Sequence, residues 1–435
     1  MPQGHAQRPF ACGVTAAASP TTATVPPPQP PSPDGDLAEL LTTDKIEEIG
    51  ALTLFLMYEK KLGAASKIAP FVALLDRQRA RGQERVSSPL LWPEDERRAL
   101  LAGSPVEGEI RARLEALRRQ YDDGLDTLWY MASSLFDRYP YDPPTGEFSF
   151  ETFLQAFCAV QASVVHLRGE GVEPSQRFAV VPLGPPVLRW TCAGRAYFTV
   201  DRGDVVLKAD HAYQRGETLS AWCGPQPNSR LLINYGIVDD RNPNDRLAMT
   251  GEIDRADPLF RAKRTALGDV GLSTKQDFSL VRGEPGSRAA LPASLTSWMR
   301  LAAATTEAEV AQAARHLVGK AAPGGPPASG LASNAIGDAG PALRPPVSSL
   351  LAHHLRGRLF RYPTTRAADE ALEKDPRATA RQRLSARLLR IEKEVLEGAL
   401  SSTSKIAGCD SVGAEKFPPH VRLTDPVNEG SGACG

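Results

Sequence analysis

The chain has 435 residues, of which 42% are hydrophobic, so it is long enough for two or three domains with a sizeable core. Its 51 basic and 51 acidic side chains give a formal net charge of zero. Proteins that grip nucleic acid by themselves usually carry a basic excess, so we expect no direct nucleic-acid binding. No apolar run approaches the roughly 18 residues of a transmembrane helix, and no membrane span is expected.

Residues 1–40 are predicted to form a disordered leader rich in proline and alanine. Serine, threonine and alanine are frequent there, and the first acidic residue is Asp34. This composition suits a degenerate organelle transit peptide, although Arg8 is its only arginine. A plain disordered tail is the other interpretation. The proline-rich end predicts an extended linker.

Apolar periodicity predicts that residues 41–170 are helical. Asp44 and Glu47 match a capping box, and the apolar spacing that follows ends at Gly63. Further helices are predicted at 66–81, 93–102, 107–120, 123–138 and 150–167. Within this region the arginines from Arg77 to Arg85 suit either a nucleic-acid or acidic-partner contact or a solvated helix end.

The periodicity changes after Gly169 to short β-branched and aromatic runs separated by turns, which predicts strands over 177–223. Helices are predicted again further on, at 255–320, 346–361 and 376–400. The Gly/Pro/Ala-rich residues 319–346 predict a flexible linker, and residues 403–435 a disordered polar tail.

The six cysteines are scattered without any C-x-x-C pair, whereas a zinc site or a disulfide framework needs clustering. We therefore expect isolated reduced thiols and no metal site. His353 and His354 on a helix would point about 100° apart, which is a poor arrangement for sharing a metal ion.

The segment CGPQPNSRLLINYGIVDDRNPNDR, residues 223–246, resembles the C-terminal half of a SET domain. The relevant class is that of the Rubisco lysine methyltransferases, in which a helical insert splits the SET domain and a helical substrate-binding domain follows. The strings LDRQRARGQ, SPLLW, LFDRYPYD, FAVVPLGPP and YPTTRAADEAL also resemble the SET-domain proteins of the plastid transcriptionally active chromosome. Those proteins are associated with the plastid-encoded RNA polymerase. The resemblance spans residues 45–402 apart from the linker.

The resemblance implies an α+β fold with a helical insert at 41–170 and the C-terminal half of a SET domain at 171–252. A helical substrate-binding-like domain is implied at 253–402. Nothing in residues 1–40 reads as the first SET strands with their Gly-x-Gly turn. We therefore expect those strands to be missing, either lost from the protein or omitted by an incomplete gene model.

Methyl transfer from S-adenosylmethionine to a lysine amine depends on an aligned and desolvated pair of reactants. The resemblance implies that Tyr235 is the catalytic tyrosine at the end of the SET pseudoknot, whose hydroxyl helps orient the methyl group and the amine. Gly236 would let another backbone segment pass close by. The other interpretation is a packed aromatic that ends a strand, with Asn234 as a turn residue.

The resemblance places cofactor contacts at His166, Leu188, Arg189 and Asn234, and an aromatic channel wall at Trp222. Leu188 and Arg189 stand where the family has an asparagine and a histidine; leucine offers no hydrogen bond and arginine only donates. His166 replaces an arginine and also suits a half-buried helix end, while Trp222 lacks a tyrosine's hydroxyl. Each buried polar group left unpaired costs about 1–3 kcal/mol, so weakened binding of S-adenosylmethionine is expected.

These features predict a SET-domain subunit of the plastid transcription machinery, located in the chloroplast. Its expected partners are subunits of the plastid-encoded RNA polymerase and associated proteins. The alternative is an active S-adenosylmethionine-dependent protein-lysine N-methyltransferase acting on a plastid protein. Large apolar residues beside prolines, in SPLLW at 88–92 and LFDRYPYD at 135–142, suit a partner interface or core packing. The polar loop from Asp239 to Arg246 suits partner or domain contact.

Overall fold

The structure is a computed structural model that describes part of the chain. The described residues are 14–15, 48–75, 87–131, 149–167, 178–181, 189–192, 196–202, 204–282, 291–317, 345–407 and 420–425. The chain divides into two compact units: unit 1 comprises 1–93, 110–226 and 230–237, and unit 2 comprises 94–109, 227–229 and 238–435. Within the described ranges, no helix is both long enough and apolar enough to cross a membrane.

Five helices fill the region predicted to be helical. They are α1 Glu48–Leu62, α2 Ala69–Leu75, α3 Glu94–Leu100, α4 Pro105–Met131 and α5 Phe150–Ser163. In unit 1, α1 packs against α5, whose start is capped by the Ser149 side chain accepting from the Thr152 amide. The predicted helices at 44–63, 66–81 and 93–102 are confirmed where described. Asp44 and the Arg77–Arg85 cluster lie outside the described residues.

Two helix predictions in this region are wrong. The expected break between 107–120 and 123–138 is absent, because α4 runs without interruption and contains no proline beyond its first residue. The helix predicted to reach residue 167 ends at Ser163 and gives way to a strand. Val164 and Val165 are β-branched and fully buried, which favours pairing in a sheet over continuation of the helix.

Seven short strands make up the sheets of unit 1. They are β1 Val14–Thr15, β2 Val164–His166, β3 Phe178–Val180, β4 Arg189–Thr191, β5 Tyr197–Asp201, β6 Asp204–Lys208 and β7 Ser220–Trp222. The first three form an antiparallel sheet in the order β1-β3-β2, β4 pairs with β7 in parallel, and β5 and β6 form an antiparallel hairpin. The prediction that residues 1–40 form a disordered leader is wrong at Val14–Thr15, which pair with Val180 and Ala179.

Unit 2 combines helices with an antiparallel sheet. The helix α6, Asn228–Tyr235, precedes the further elements of this unit in the chain. These elements are β8 Arg246–Ile253, α7 Phe260–Gly268, β9 Lys275–Val281, α8 Ala293–Ala302, α9 Glu307–Ala314, α10 Pro345–Phe360, α11 Arg366–Lys374, α12 Ala380–Ala407 and β10 Val421–Thr424. The strand order is β10-β8-β9, with β8 in the centre. Trp298 and Leu396 are fully buried in the core that the helices share with this sheet.

The structure corrects two predictions for unit 2. The region 255–320 is not wholly helical, because β9 pairs along β8 and alternates buried and exposed side chains. The tail 403–435 is not wholly disordered, because β10 pairs with β8 from Val421 to Thr424. The helices predicted at 346–361 and 376–400 are confirmed by α10 and α12. The linker 319–346 lies almost entirely outside the described residues.

Unit 2 buries charged side chains in pairs. Lys263 Nζ lies 2.7 Å from Asp257 Oδ2 and also donates to the Ala302 carbonyl. Lys393 pairs with Asp369, and both are almost fully buried. A buried charge without its partner is strongly destabilising, so each pair constrains the helices that carry it.

Glu392 on α12 is a fully buried acid held by two neutral donors. The Ser104 hydroxyl donates to its Oε1 at 2.9 Å, and the Tyr362 hydroxyl donates to its Oε2 at 3.0 Å. Burial dominates these bonds and raises the pKa of Glu392 from 4.5 to about 8. The native state therefore keeps a proton between these pH values that the unfolded chain has released.

We expect the free energy of unfolding to fall as pH rises from 4.5 towards 8, by up to roughly 1.4 kcal/mol per pH unit from this group. Glu392→Gln removes the ionisation and should flatten the decline, which urea unfolding at several pH values would measure. The control is Glu397→Gln, since Glu397 is 45% exposed and pairs with Arg366 at the surface. An unchanged pH slope in Glu392→Gln would contradict the assignment.

Candidate functional site

Tyr235 is the last residue of a short helix, α6, which spans Asn228–Tyr235. Leu231 and Leu232 are fully buried, and Tyr235 lies one turn beyond Leu231 on the same helix face. The interpretation that Tyr235 ends a strand is therefore wrong, because Tyr235 ends a helix. Leu231 and Leu232 are adjacent and Tyr235 lies four positions after Leu231, which is the spacing of buried residues on one face of a helix.

The side chain of Tyr235 is packed into the core of unit 1. It is 1% exposed, and its ring centroid lies 5.2 Å from that of Trp190 at an angle of 48°. The Trp190 indole donates to the Ala162 carbonyl at 3.0 Å, which ties this aromatic pair to the end of α5. The tyrosine ring is thus held by packing on a neighbour that is itself hydrogen bonded.

Gln226 connects three groups around the tyrosine. Its Nε2 donates to the Cys223 carbonyl at 2.8 Å and lies 3.5 Å from the Tyr235 hydroxyl. Its Oε1 accepts from Asn234 Nδ2 at 3.3 Å. The sequence prediction did not include Gln226 among the site residues, and the available signal was an amide side chain set between two prolines in the Gly-Pro-Gln-Pro turn.

Gly236 ends α6 in the left-handed region, with φ of +63°. A Cβ at this position would lie 2.4 Å from the Ser87 carbonyl oxygen. The next residue, Ser88, donates its hydroxyl to the Ile233 carbonyl at 2.7 Å. The predicted close passage beside Gly236 is therefore present, and the passing segment contains the start of SPLLW.

Of the two interpretations of SPLLW, core packing is the one that the structure supports. Leu90 and Trp92 are each 4% exposed, and Pro89 is also buried. Ser88 caps the short 3-10 turn Pro89–Leu91 by accepting from the Leu90 amide. The string LFDRYPYD lies outside the described residues.

The remaining predicted site residues lie in two different sheets. His166 ends β2, is exposed, and meets Phe178 edge-on with ring centroids 4.5 Å apart, so it is neither half-buried nor at a helix end. Trp222 is half-buried in β7, and Arg189 contributes its backbone to β4. Leu188 and the Arg189 side chain lie outside the described part of the structure. Asn234 is joined to Tyr235 through Gln226.

The polar loop after α6 is held by unit 2. Asp240 Oδ1 accepts from Arg390 Nη2 at 2.7 Å and from Arg282 Nη1 at 3.4 Å. In the same unit, Asn228 Nδ2 donates to Asp245 Oδ2 at 2.8 Å. Burial raises the pKa of Asp245, although the amides of Asn228 oppose the shift. These contacts hold the loop within unit 2, and its role in partner or domain contact stays a prediction.

The residues at the implied cofactor positions fit S-adenosylmethionine poorly. The cofactor's adenine and its amino-acid end require both donors and acceptors. The Leu188 side chain supplies neither, the Arg189 side chain only donates, and Asn234 Nδ2 donates to Gln226 Oε1. In the described ranges no cluster of three or more His, Cys, Asp or Glu side chains could hold a metal ion.

Comparison with known sequences identifies relatives of this site's scaffold. Residues 254–396 match the family described as Rubisco LSMT substrate-binding. The actin-histidine N-methyltransferase of Mus musculus is 26% identical over 235 residues, covering 52% of this chain and 35% of that protein. The Homo sapiens protein of the same name is 26% identical over 212 residues, covering 47% of this chain and 32% of its own length. The matches thus span about a third of these curated relatives.

Solved structures share the fold. The SET domain of LSMT bound to lysine and AdoHcy superposes with a TM-score of 0.60 at 17% identity, covering 86% of this chain and 79% of that chain. Rubisco LSMT bound to AdoMet gives a TM-score of 0.59 at 16% identity with the same coverage. The chain therefore has the α+β fold of the Rubisco LSMT class of SET proteins, as predicted, and is related to protein methyltransferases.

Gly236→Ala should destabilise unit 1 by roughly 2–4 kcal/mol, because it adds left-handed backbone strain to a clash with Ser87. Tryptophan fluorescence during urea unfolding would measure the loss. The matched control is Gly216→Ala, where φ is +89° and no atom lies within 4 Å of the added Cβ, so only the strain of about 1 kcal/mol applies. Equal losses of unfolding free energy in the two variants would show that the Ser87 backbone does not exclude a side chain at position 236.

Proposed function

We propose that this chain is a SET-fold subunit of the plastid transcription machinery that works chiefly by binding other proteins. The observation that carries the proposal is the burial of the Tyr235 side chain. Its side chain is 1% exposed, packed on Trp190 and contacted at the hydroxyl by Gln226. A tyrosine that orients a methyl group and an amine must present its hydroxyl to both reactants. A packed tyrosine instead suits a scaffold derived from a methyltransferase.

The donor set supports the same proposal. Two of the implied cofactor positions, Leu188 and Arg189, cannot supply the hydrogen bonds of an asparagine and a histidine. Unpaired polar atoms of a bound cofactor would cost about 1–3 kcal/mol each, and every 1.4 kcal/mol weakens binding tenfold. Weak cofactor binding would remove catalysis without affecting the fold, and the proposal therefore assigns a protein-binding role to the retained scaffold.

We base the plastid part of the proposal on two sequence strings whose residues form side-chain bonds, one in each unit. SPLLW supplies Ser88, which bonds the end of α6 in unit 1. YPTTRAADEAL supplies Tyr362 and Asp369, whose side chains bond Glu392 and Lys393 in unit 2. The resemblance to the plastid proteins thus lies in residues that shape the scaffold. We propose subunits of the plastid-encoded RNA polymerase as partners and the chloroplast as the location.

An affinity-tagged copy isolated from plastids should recover subunits of the plastid-encoded RNA polymerase. Tyr235→Phe removes one hydroxyl from a packed site, so the proposal expects the same recovery from this variant. Quantitative mass spectrometry of the eluates would compare the two. Recovery of intact tagged protein without polymerase subunits would contradict the proposal.

The second candidate is an active protein N-methyltransferase that acts on a plastid protein. It is favoured by the retained Tyr235 with its aromatic neighbour Trp190, and by relatives whose names describe N-methyltransferases. S-adenosylmethionine would supply the methyl group, and a lysine or histidine side chain would be the acceptor class.

Calorimetry with S-adenosylmethionine separates the two candidates. The binding-subunit proposal expects no saturable heat below about millimolar ligand, equivalent to a binding free energy weaker than about −4 kcal/mol. Micromolar binding, together with transfer of labelled methyl groups into a plastid extract that Tyr235→Phe abolishes, would establish the enzyme instead. Asn234→Ala serves as a binding control, since it removes an implied cofactor contact without changing the tyrosine.

A further inference from the structure

Two buried thiols lie side by side in the core that contains Tyr235. Cys192 Sγ and Cys223 Sγ are 3.3 Å apart, and the two residues are 4% and 5% exposed. The Cys223 thiol also donates to the Thr191 carbonyl at 3.3 Å. The sequence prediction of isolated thiols is therefore wrong for this pair, because residues 31 positions apart in the chain meet in the sheet.

The register of two parallel strands places these thiols together. Thr191 of β4 is the partner of Trp222 of β7, so Cys192 and Cys223 are the next pair along. The Cys223 amide donates to the Thr191 carbonyl at 3.1 Å, which continues the ladder to this point. Neighbouring strands lie about 4.8 Å apart, within the roughly 4.4–6.8 Å between Cα atoms that a disulfide spans. The backbone spacing therefore suits a disulfide as it stands.

We propose that Cys192 and Cys223 are a redox-active dithiol that closes to an intramolecular disulfide. The sulfur atoms must approach by about 1.2 Å to reach the bond length near 2.05 Å, which side-chain rotation can supply. This property goes beyond the proposed function and does not depend on it.

The reaction is a thiol–disulfide exchange with a small-molecule disulfide such as oxidised glutathione. One thiolate attacks the glutathione disulfide, forming a mixed disulfide and releasing one glutathione. The second cysteine then attacks the mixed disulfide, forming the Cys192–Cys223 bond and releasing the second glutathione. The protein loses two protons and two electrons, and the oxidised glutathione is reduced to two thiols.

Closure would tie the end of β4 to the turn that carries Gln226. Gln226 donates to the Cys223 carbonyl and reaches the Tyr235 hydroxyl, so two hydrogen bonds through Gln226 link Cys223 to the tyrosine's polar end. The new ring encloses residues 193–222, including the β5–β6 hairpin. Restricting the unfolded chain in this way should raise the melting temperature of unit 1 by about 5–10 °C.

Cys158 provides a matched control in the same unit. It is 1% exposed, but its thiol lies beside the Ser88 hydroxyl, and burial raises its pKa to about 12. A thiol with so high a pKa is inert as a nucleophile near neutral pH. Cys158→Ala should therefore leave disulfide formation unchanged.

The experiment is oxidation of the folded full chain in glutathione buffers, followed by tryptic digestion without reduction. Cleavage at arginines separates the two thiols into WTCAGR, residues 190–195, and GETLSAWCGPQPNSR, residues 216–230. Mass spectrometry should detect these peptides joined in the wild type and in Cys158→Ala, and separate after reduction. The joined pair should be absent in Cys192→Ala and in Cys223→Ala, and the oxidised wild type should melt at the higher temperature.

Two results would overturn the proposal. One is a wild-type chain that carries only glutathione adducts on Cys192 or Cys223, without the joined peptides. The other is joining in urea but not in the folded chain, which would show that the native core blocks closure. Both readouts use the wild-type protein, so neither depends on the folding of a cysteine variant.

Discussion

The constraint on which the rest of unit 1 depends is the close passage of the Ser87–Ser88 backbone beside the end of α6. Gly236 has no room for a side chain there, and Ser88 bonds the carbonyl of Ile233 in the last turn of the helix. A contact between segments almost 150 positions apart fixes where α6 stops. Since Tyr235 is the last residue of α6, the same contact fixes the position of its ring against Trp190.

The cores of the two units contain different types of side chain. The core of unit 1 around Tyr235 is made of aromatic and small apolar residues with two thiols. Unit 2 adds buried ionisable groups to its apolar core, and three pairings involve Arg390, Glu392 and Lys393, which lie within one turn of α12. Buried polar networks are costly when incomplete, so this helix must keep its register against α11 and the residues near Tyr362. The packing of unit 2 therefore depends on these side-chain pairs being formed.

The sequence predicted those helices and strands that depend on patterns among neighbouring residues. Apolar periodicity located α1, α3, α10 and α12, and turn residues located the strand region, because both signals arise from neighbouring residues. The fold class came from strings such as NYG and SPLLW. By contrast, β9 and β10 are short segments in which apolar residues alternate, Phe278 and Leu280 in β9 and Val421 and Leu423 in β10. They are strands because β8 pairs with both, and that pairing is a tertiary contact.

The residues of the candidate site also differ in whether the sequence could predict them. Tyr235 and Asn234 were identified by resemblance, and the structure joins them through Gln226, a residue without a distinctive pattern of its own. The pairing of Cys192 with Cys223 depends on strand register, so spacing in the sequence could only suggest isolated thiols. His166 was placed at a helix end by periodicity, but two buried valines turn that segment into a strand. Tertiary pairing decided each of these outcomes.

The tyrosine of this SET fold is enclosed by the core of unit 1, and we propose that the chain acts through protein contacts. Hydrogen–deuterium exchange over residues 220–237, with and without millimolar S-adenosylmethionine, tests this most directly. The account predicts the same slow exchange of the α6 amides in both conditions, because the segment is already packed and bonded. New protection of β7 and α6 on addition of S-adenosylmethionine would contradict it, since the ligand would then occupy the site around Tyr235.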